Sequence, residues 1–350
     1  MSEQKLGRGM AADIAEQPGM YARLVQERGS VAEVAQEIAR RRPRHVLFTA
    51  RGTSDHAALY AAYLTEIRLG IPAGLVSPSA ITIYGARPDL RDCLVVGVSQ
   101  SGESPDLGEV IRVAREQGAH TLAVTNAPDS PLAEVAELHI DIAAGTESAV
   151  AATKTYTAEL LTLLLLVEAV RTGDGTIPAD EVEVLARLPE LAASTLADTT
   201  AAEIAGRYRF AGQLVTTGRG YAYPTAREAA LKLMETSYLA ALAFSGADLL
   251  HGPLAMADAD VPVLAVVGAG PAGESMRDVL ARLSERRADR VVIGPRPITG
   301  ALHLPTPEVD ERFAPLLDIL PLQQLALSLA LARGEDPDTP RSLKKVTSTR

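Results

Sequence analysis

The sequence predicts an α/β fold of two parallel sheets, each flanked by helices, and three observations carry that expectation. Short β-branched or apolar runs alternate with longer amphipathic stretches, the pattern of successive βαβ units. The strand runs are continuously apolar, as strands covered on both faces must be. The alternation also stops near the middle of the 350-residue chain and then restarts, which at roughly 150 residues per domain gives two domains.

In the first half, strands are expected at residues 46–50, 94–98, 121–124 and 139–142. Helices are expected between and after them at 55–68, 105–117, 131–137 and 152–171. The segment 172–178, rich in Gly and Thr and closed by Pro178, then punctuates the chain. A helical connector follows to about residue 206. Strands resume at 214–218, 263–267 and 291–294, with helices at 225–242, 272–286 and 316–332. Each half opens with a strand, an Arg-Gly pair (Arg51-Gly52, Arg219-Gly220) and a helix rich in Ala and Leu, which suggests two copies of one unit. The expected organisation is an N-terminal helical segment (1–30), a first domain (31–172), the connector (173–206), a second domain (207–332) and a polar tail (333–350) read as an extended arm.

Composition narrows the function. Thirty-four basic against 44 acidic residues give a net charge of −10, without the basic footprint of a duplex-binding protein. Aromatics are 4% with no Trp, which argues against stacking platforms for bases or sugars. The single cysteine, Cys93, lies in an apolar run, so neither a disulfide framework nor a thiolate cluster is expected. Acidic residues occur early, at Glu3, Asp13 and Glu16, and no apolar signal core precedes them. The greasy stretch 160–170 contains Glu168 and is too short to span a bilayer. A soluble cytoplasmic protein is the expectation.

The richest stretch is Ser99-Gln100-Ser101-Gly102-Glu103-Ser104-Pro105-Asp106, directly after an expected strand and before a helix. Hydroxyls and free backbone N–H groups at such a turn form an anion cradle, reinforced by the helix dipole. An ordinary N-cap would need one Ser; three Ser and a Gln around one Gly favour a phosphate. A second turn of this kind, Arg51-Gly52-Thr53-Ser54-Asp55, ends the first strand, and ligands in open α/β sheets bind at strand carboxyl ends. Gly268-Ala269-Gly270-Pro271-Ala272-Gly273 fits the dinucleotide fingerprint G-x-G-x-x-G. The next strand lacks the acid needed for a ribose, so a Gly/Pro-rich loop is the better reading. In the second half, helical spacing puts Glu228, Lys232 and Glu235 near one face. His251 precedes Gly-Pro in an apolar stretch, an odd place for a surface imidazole. The other histidines are scattered without ligand spacing, so no metal site is expected.

These motifs, with Gly145-Thr-Glu-Ser-Ala-Val-Ala-Ala-Thr-Lys154 and the closing Pro340-Arg-Ser-Leu-Lys-Lys345-Val-Thr, resemble tandem sugar isomerase (SIS) domains. The likeness is to the isomerase half of glucosamine-6-phosphate synthases and to type II glucosamine-6-phosphate deaminases, whose first loop is more like Arg51–His56. It implies two flavodoxin-like SIS domains, each a parallel sheet flanked by helices, and no cofactor. It further implies that Ser54, Ser99, Gln100, Ser101 and Ser104 hold a 6-phosphate, and that Arg51, Thr53, Val150 and Lys344 line the sugar. Glu235 resembles the base that moves a proton between C1 and C2, His251 the ring-opening group, Lys232 a lysine near the sugar, and Lys345 a tail lysine closing over the substrate. In this family the histidine usually comes from a neighbouring subunit, so a homodimer is implied. About 30 residues precede the first domain and Cys93 lies in an expected strand, so glutamine-dependent synthesis is not expected.

The implied chemistry is deamination and isomerisation of a phosphorylated amino sugar. An open-chain aldehyde acidifies the C2 proton, and a nearby carboxylate can shuttle it. With a free amine at C2, hydrolysis of the resulting enolamine gives fructose 6-phosphate and ammonia. With an N-acetyl group, loss of the C3 hydroxyl would make the protein a dehydratase. A non-catalytic sugar-phosphate sensor is the reading from another class. No nucleic-acid or membrane partner is expected.

Overall fold

The computed structural model describes residues 6–343. Helices α1 (Arg8–Ala15), α2 (Gln17–Gln26) and α3 (Ala32–Arg41) precede the first sheet. Then come β1 (His45–Thr49), α4 (Thr53–Leu64), β2 (Ala73–Leu75), α5 (Pro78–Thr82), β3 (Cys93–Ser99), α6 (Pro105–Glu116), β4 (His120–Thr125), α7 (Pro131–Val135), β5 (Leu138–Asp141) and α8 (Lys154–Thr172). Helices α9 (Ala179–Ala197) and α10 (Thr200–Ala205) lead to β6 (Gln213–Gly218), α11 (Ala222–Ser237), β7 (Ala240–Ser245), α12 (Gly246–Leu250), β8 (Val263–Val266), α13 (Pro271–Ser275), α14 (Arg277–Glu285), β9 (Arg290–Gly294), β10 (Leu302–Pro305) and α15 (Pro315–Ala332).

Both sheets are five-stranded and wholly parallel, with orders β2-β1-β3-β4-β5 and β10-β9-β8-β6-β7. In chain order within each copy this is one topology used twice, the doubly wound 2-1-3-4-5 arrangement. Its switch points lie between β1 and β3 and between β6 and β8. Central strand β3 is buried at all seven positions, which its run Cys-Leu-Val-Val-Gly-Val-Ser requires. On one face of the first sheet, Val95 and Ala123 pack with Leu107, Val110 and Ile111 of α6. In the second, Val263, Ala265 and Val292 pack with Val279 and Leu283 of α14.

The chain separates into two compact units. One gathers 6–18, Ser148–Thr153 and Glu190–Leu343; the other gathers Gly19–Glu147 and Lys154–Pro189. The division falls at Pro189, inside α9. The strap Ser148–Thr153, read from sequence as first-domain chain, thus clusters with the second sheet's unit.

Three expectations need correction. The helix expected at 225–242 ends at Ser237, because Tyr238 adopts a left-handed φ of 54° and the chain turns into edge strand β7 beside β6. The helix expected at 272–286 is two, α13 and α14, which meet at buried Met276. Edge strands β2 and β10, three and four residues long and mostly only half-buried, lack the continuous apolar run that marks their neighbours. Helix α15 is long and apolar enough to cross a membrane, yet 72% of it is buried inside the fold, as a core helix is.

Candidate active site

In the unit that holds the first sheet, the Arg51–Asp55 and Ser99–Asp106 turns leave the carboxyl ends of β1 and β3, at the switch point of that sheet. The turn after β3 is tightly fixed. Ser99 Oγ accepts from the Gly102 N–H at 3.1 Å, Ser101 Oγ accepts from the Glu103 N–H at 3.3 Å, and the Leu132 N–H donates to the Gly102 carbonyl at 3.1 Å. Gly102 has φ 65°, and a Cβ there would lie 2.1 Å from Ser130 Oγ, so no other residue fits. Ser104, in extended conformation, is the N-cap of α6, with Pro105 in the first turn.

The structure brings the two turns together through Arg51. Its guanidinium reaches Asp106 Oδ2, with Nε at 2.8 Å and Nη2 at 2.7 Å, while Asp106 Oδ1 accepts from the Leu107 N–H at 3.0 Å. Arg51 is therefore placed as the tie between the turns. Thr53, Gln100, Ser101 and Ser104 are half-buried at this end of the sheet, reachable by a ligand. Ser99 and Ser54 are buried, and Ser54 Oγ donates to Glu159 Oε1 of α8 at 2.7 Å. Beside Gln100 a polar cavity of about 600 Å³ opens at the ends of β4 and β5, lined also by Arg23, Asn126, Asp141, Thr146 and Glu147.

The Gly145–Lys154 motif proves to be a closed loop. In the first-sheet unit, Lys154 Nζ donates to the Thr146 carbonyl, and Glu147 accepts from the Thr155 hydroxyl at 2.6 Å and the Thr155 N–H at 3.2 Å. In the other unit, Asp13 Oδ2 accepts from the N–H groups of Ser148 and Ala149 at 2.8 and 2.9 Å. Gln323 donates to the Thr153 carbonyl at 3.2 Å. Val150 is half-buried.

On α11 the expected charge face exists. Lys232 Nζ, essentially buried, lies 2.5 Å from Glu235 Oε2 and 3.4 Å from Glu228 Oε1, the spacings being i,i+3 and i,i+4. Glu228 is fully buried, whereas Glu235 keeps 22% of its side chain exposed, so only the second carboxylate can meet a ligand. An inward lysine thus orients an outward carboxylate. His251 caps α12 and is exposed; Gly252 beside it has φ 127°, a conformation open to glycine. Lys344 and Lys345 lie outside the described residues.

The Gly268–Gly273 loop, at the carboxyl end of β8, is filled from within. Glu311 Oε1 accepts from the Gly273 N–H at 3.0 Å and Oε2 from the Ala272 N–H at 3.3 Å. Residues that sequence reasoning passed over include Asp106, quoted only as the end of its stretch, and Glu159 and Asp13, whose partners are more than 100 positions away. For the last two no local signal exists.

The SIS domain profile matches residues 40–169 and 208–333. The isomerizing glutamine–fructose-6-phosphate aminotransferase of Gloeobacter violaceus is 34% identical over 357 residues, covering 96% of this chain and 58% of that protein. The chain spans just over half the length of the curated relatives it matches, 51% for the enzyme of that name in Pyrobaculum aerophilum. Among solved structures, the C-terminal domain of glucosamine-fructose-6-phosphate aminotransferase from Francisella tularensis superposes with a TM-score of 0.88 at 26% identity, covering 97% of this chain and 100% of that one. A candidate phosphosugar isomerase from Silicibacter pomeroyi DSS-3 gives 0.85 at 33% identity, covering 94% and 99%.

Proposed function

The chain belongs to the SIS-domain family, and on that premise we propose that it is a hexosamine-6-phosphate deaminase/isomerase that converts glucosamine 6-phosphate to fructose 6-phosphate and ammonia. The observation that carries the reading is the α11 constellation, in which buried Lys232 holds Glu235 at 2.5 Å with its carboxylate still open to a ligand. Glu235 takes the C2 proton of the open-chain sugar and delivers it to C1. His251 opens the ring, and Lys345 covers the reacting carbons. The Ser99–Ser104 turn and the Arg51–Ser54 turn supply amides, hydroxyls and an amide side chain for a phosphate. Binding energy from that remote group orients the carbons that react. The same reading implies a homodimer in which His251 serves the neighbouring subunit, which sedimentation and subunit mixing test.

The decisive experiment incubates the pure protein with glucosamine 6-phosphate and, separately, its N-acetyl form. Ammonia and fructose 6-phosphate from the first support the proposal. An ultraviolet-absorbing product from the second without ammonia marks a dehydratase, and inert binding of both marks a sensor. Glu235→Gln should lower kcat by at least about 10²-fold, the low end for a lost general base, with binding of the phosphorylated sugar retained. Undiminished turnover removes Glu235 from the chemistry.

A further inference from the structure

We propose that Asp13, together with Gln323 and Gln17, positions the strap Ser148–Thr153 to recognise the sugar portion of a phosphosugar, as distinct from its phosphate. The three are positioning residues, and the inference rests on the proposed place of Val150 beside the sugar. Asp13 lies in the last turn of α1, on the buried face it shares with Met10 and Ile14 at helical spacing. Packing alone would put an apolar residue there. A carboxylate is disfavoured twice, by burial and by the negative end of the helix dipole. The strap offsets that cost. Asp13 Oδ2 accepts from the Ser148 N–H at 2.8 Å and the Ala149 N–H at 2.9 Å, 135 and 136 residues downstream.

The far end of the strap is held by a second buried group. Gln17 Nε2 donates to the Ile14 carbonyl at 3.1 Å and to Gln323 Oε1 at 2.7 Å, and Gln323 Nε2 donates to the Thr153 carbonyl at 3.2 Å. Asp13, Gln17, Gln323 and Thr153 are fully buried, and a hydrogen-bonded network at that depth rigidifies what it holds. Along the strap Ala149, Ala151 and Thr153 are buried, whereas Val150 and Ala152 are half-buried, so alternate side chains stay within reach of a ligand. Gln323 belongs to α15, which packs along α11, the helix of Glu235, in this same unit. Strap and carboxylate thus share one frame, of which α1 is a part. None of these bonds involves the turns proposed to hold the phosphate, so recognition of the sugar can be separated from recognition of its anion.

Calorimetry with glucosamine 6-phosphate and, separately, with inorganic phosphate tests this, because it reads binding whether or not the sugar reacts. Wild type should prefer the sugar phosphate. Asp13→Ala should lose about tenfold of that preference, with the Kd for inorganic phosphate changed less than about threefold. Asp13→Asn, whose amide oxygen can still accept from both N–H groups, should restore most of the loss. Gln323→Met keeps the volume and removes the bond to Thr153; it should lose about three- to tenfold in the same selective way, and it carries the test if Asp13→Ala does not fold. In native-state hydrogen exchange, the peptide spanning 148–153 should exchange roughly tenfold faster in Asp13→Ala than in wild type. A wild type without the preference, a preference untouched in both Asp13→Ala and Gln323→Met, or affinities for the two ligands that fall together would overturn the proposal. A wild type that binds glucosamine 6-phosphate but releases no ammonia would overturn the deaminase reading alone, and a selective loss in Asp13→Ala would still support the strap.

Discussion

Asp318 offers a measurable link between burial and pH. It sits buried on α15, where Thr306 Oγ1 donates to its Oδ1 at 2.7 Å. Burial pushes its carboxyl from 3.8 up to about 7, against the smaller opposing effect of the Thr306 bond. A carboxyl raised on folding binds its proton more tightly in the native chain than in the unfolded one. Its contribution is thus greatest at or below pH 3.8 and is lost as the pH climbs towards 7, after which it is flat. Each pH unit in that window costs about 1.4 kcal/mol, so between pH 5 and pH 7 the native state loses about 3 kcal/mol on this account. Asp318→Asn removes the titration and keeps an acceptor for Thr306, while adding amide donors whose cost of about 1–3 kcal/mol does not vary with pH. The variant should therefore gain about 3 kcal/mol relative to wild type between pH 5 and pH 8. Urea titrations followed by circular dichroism would read that as a relative midpoint shift of about 1 M, for a slope near 3 kcal/mol/M. Parallel pH profiles for the two proteins would refute the reasoning.

Two further predictions concern the turns. Gly273→Ala would put a Cβ 1.8 Å from the Gly268 carbonyl oxygen, backbone that cannot swing aside, and should lower stability by about 3–5 kcal/mol, read as a fall in melting temperature. Arg51→Met leaves Asp106, whose side chain is only 2% exposed, without its ion pair. It should cost about 2 kcal/mol in urea titrations, because Arg51 itself is partly solvated. It should also raise KM for the phosphorylated sugar about tenfold, because the tie between the two turns proposed to hold the phosphate is gone; an unchanged KM would separate Arg51 from the proposed binding site.

What the sequence revealed tracks how local the cause is. Buried parallel strands such as β3 and β8 announce themselves, because burial on both faces demands a continuous apolar run. Edge strand β7 does not. Its Ala-Ala-Leu-Ala-Phe-Ser run also suits the end of a helix, and only the left-handed Tyr238 separates it from α11. The Lys232 constellation was readable because i,i+3 and i,i+4 spacing is a property of the helix alone. The inward turn of Ser54 was not, because its partner Glu159 lies 105 residues on and belongs to a different helix. Glu168 shows the same limit: an acid inside the apolar run of α8 looks misplaced until Arg68, Arg171 and Glu181 are seen around it.

The two switch points make the distinction sharpest. Each sheet repeats one topology, and each ends a central strand in a Gly-containing turn that opens a helix. After β3 the turn presents Gln100, Ser101 and Ser104 half-exposed, with an arginine tied in beside them. After β8 the corresponding amides are taken by the carboxylate of Glu311, and a Cβ on Gly270 would come within 2.5 Å of that side chain. The G-x-G-x-x-G pattern was therefore a true sign of backbone amides suited to an anion. The anion is part of the chain, 38 residues downstream, which satisfies the turn with no ligand and leaves the turn after β3 as the one of the pair with its polar side chains open to an anion from solution.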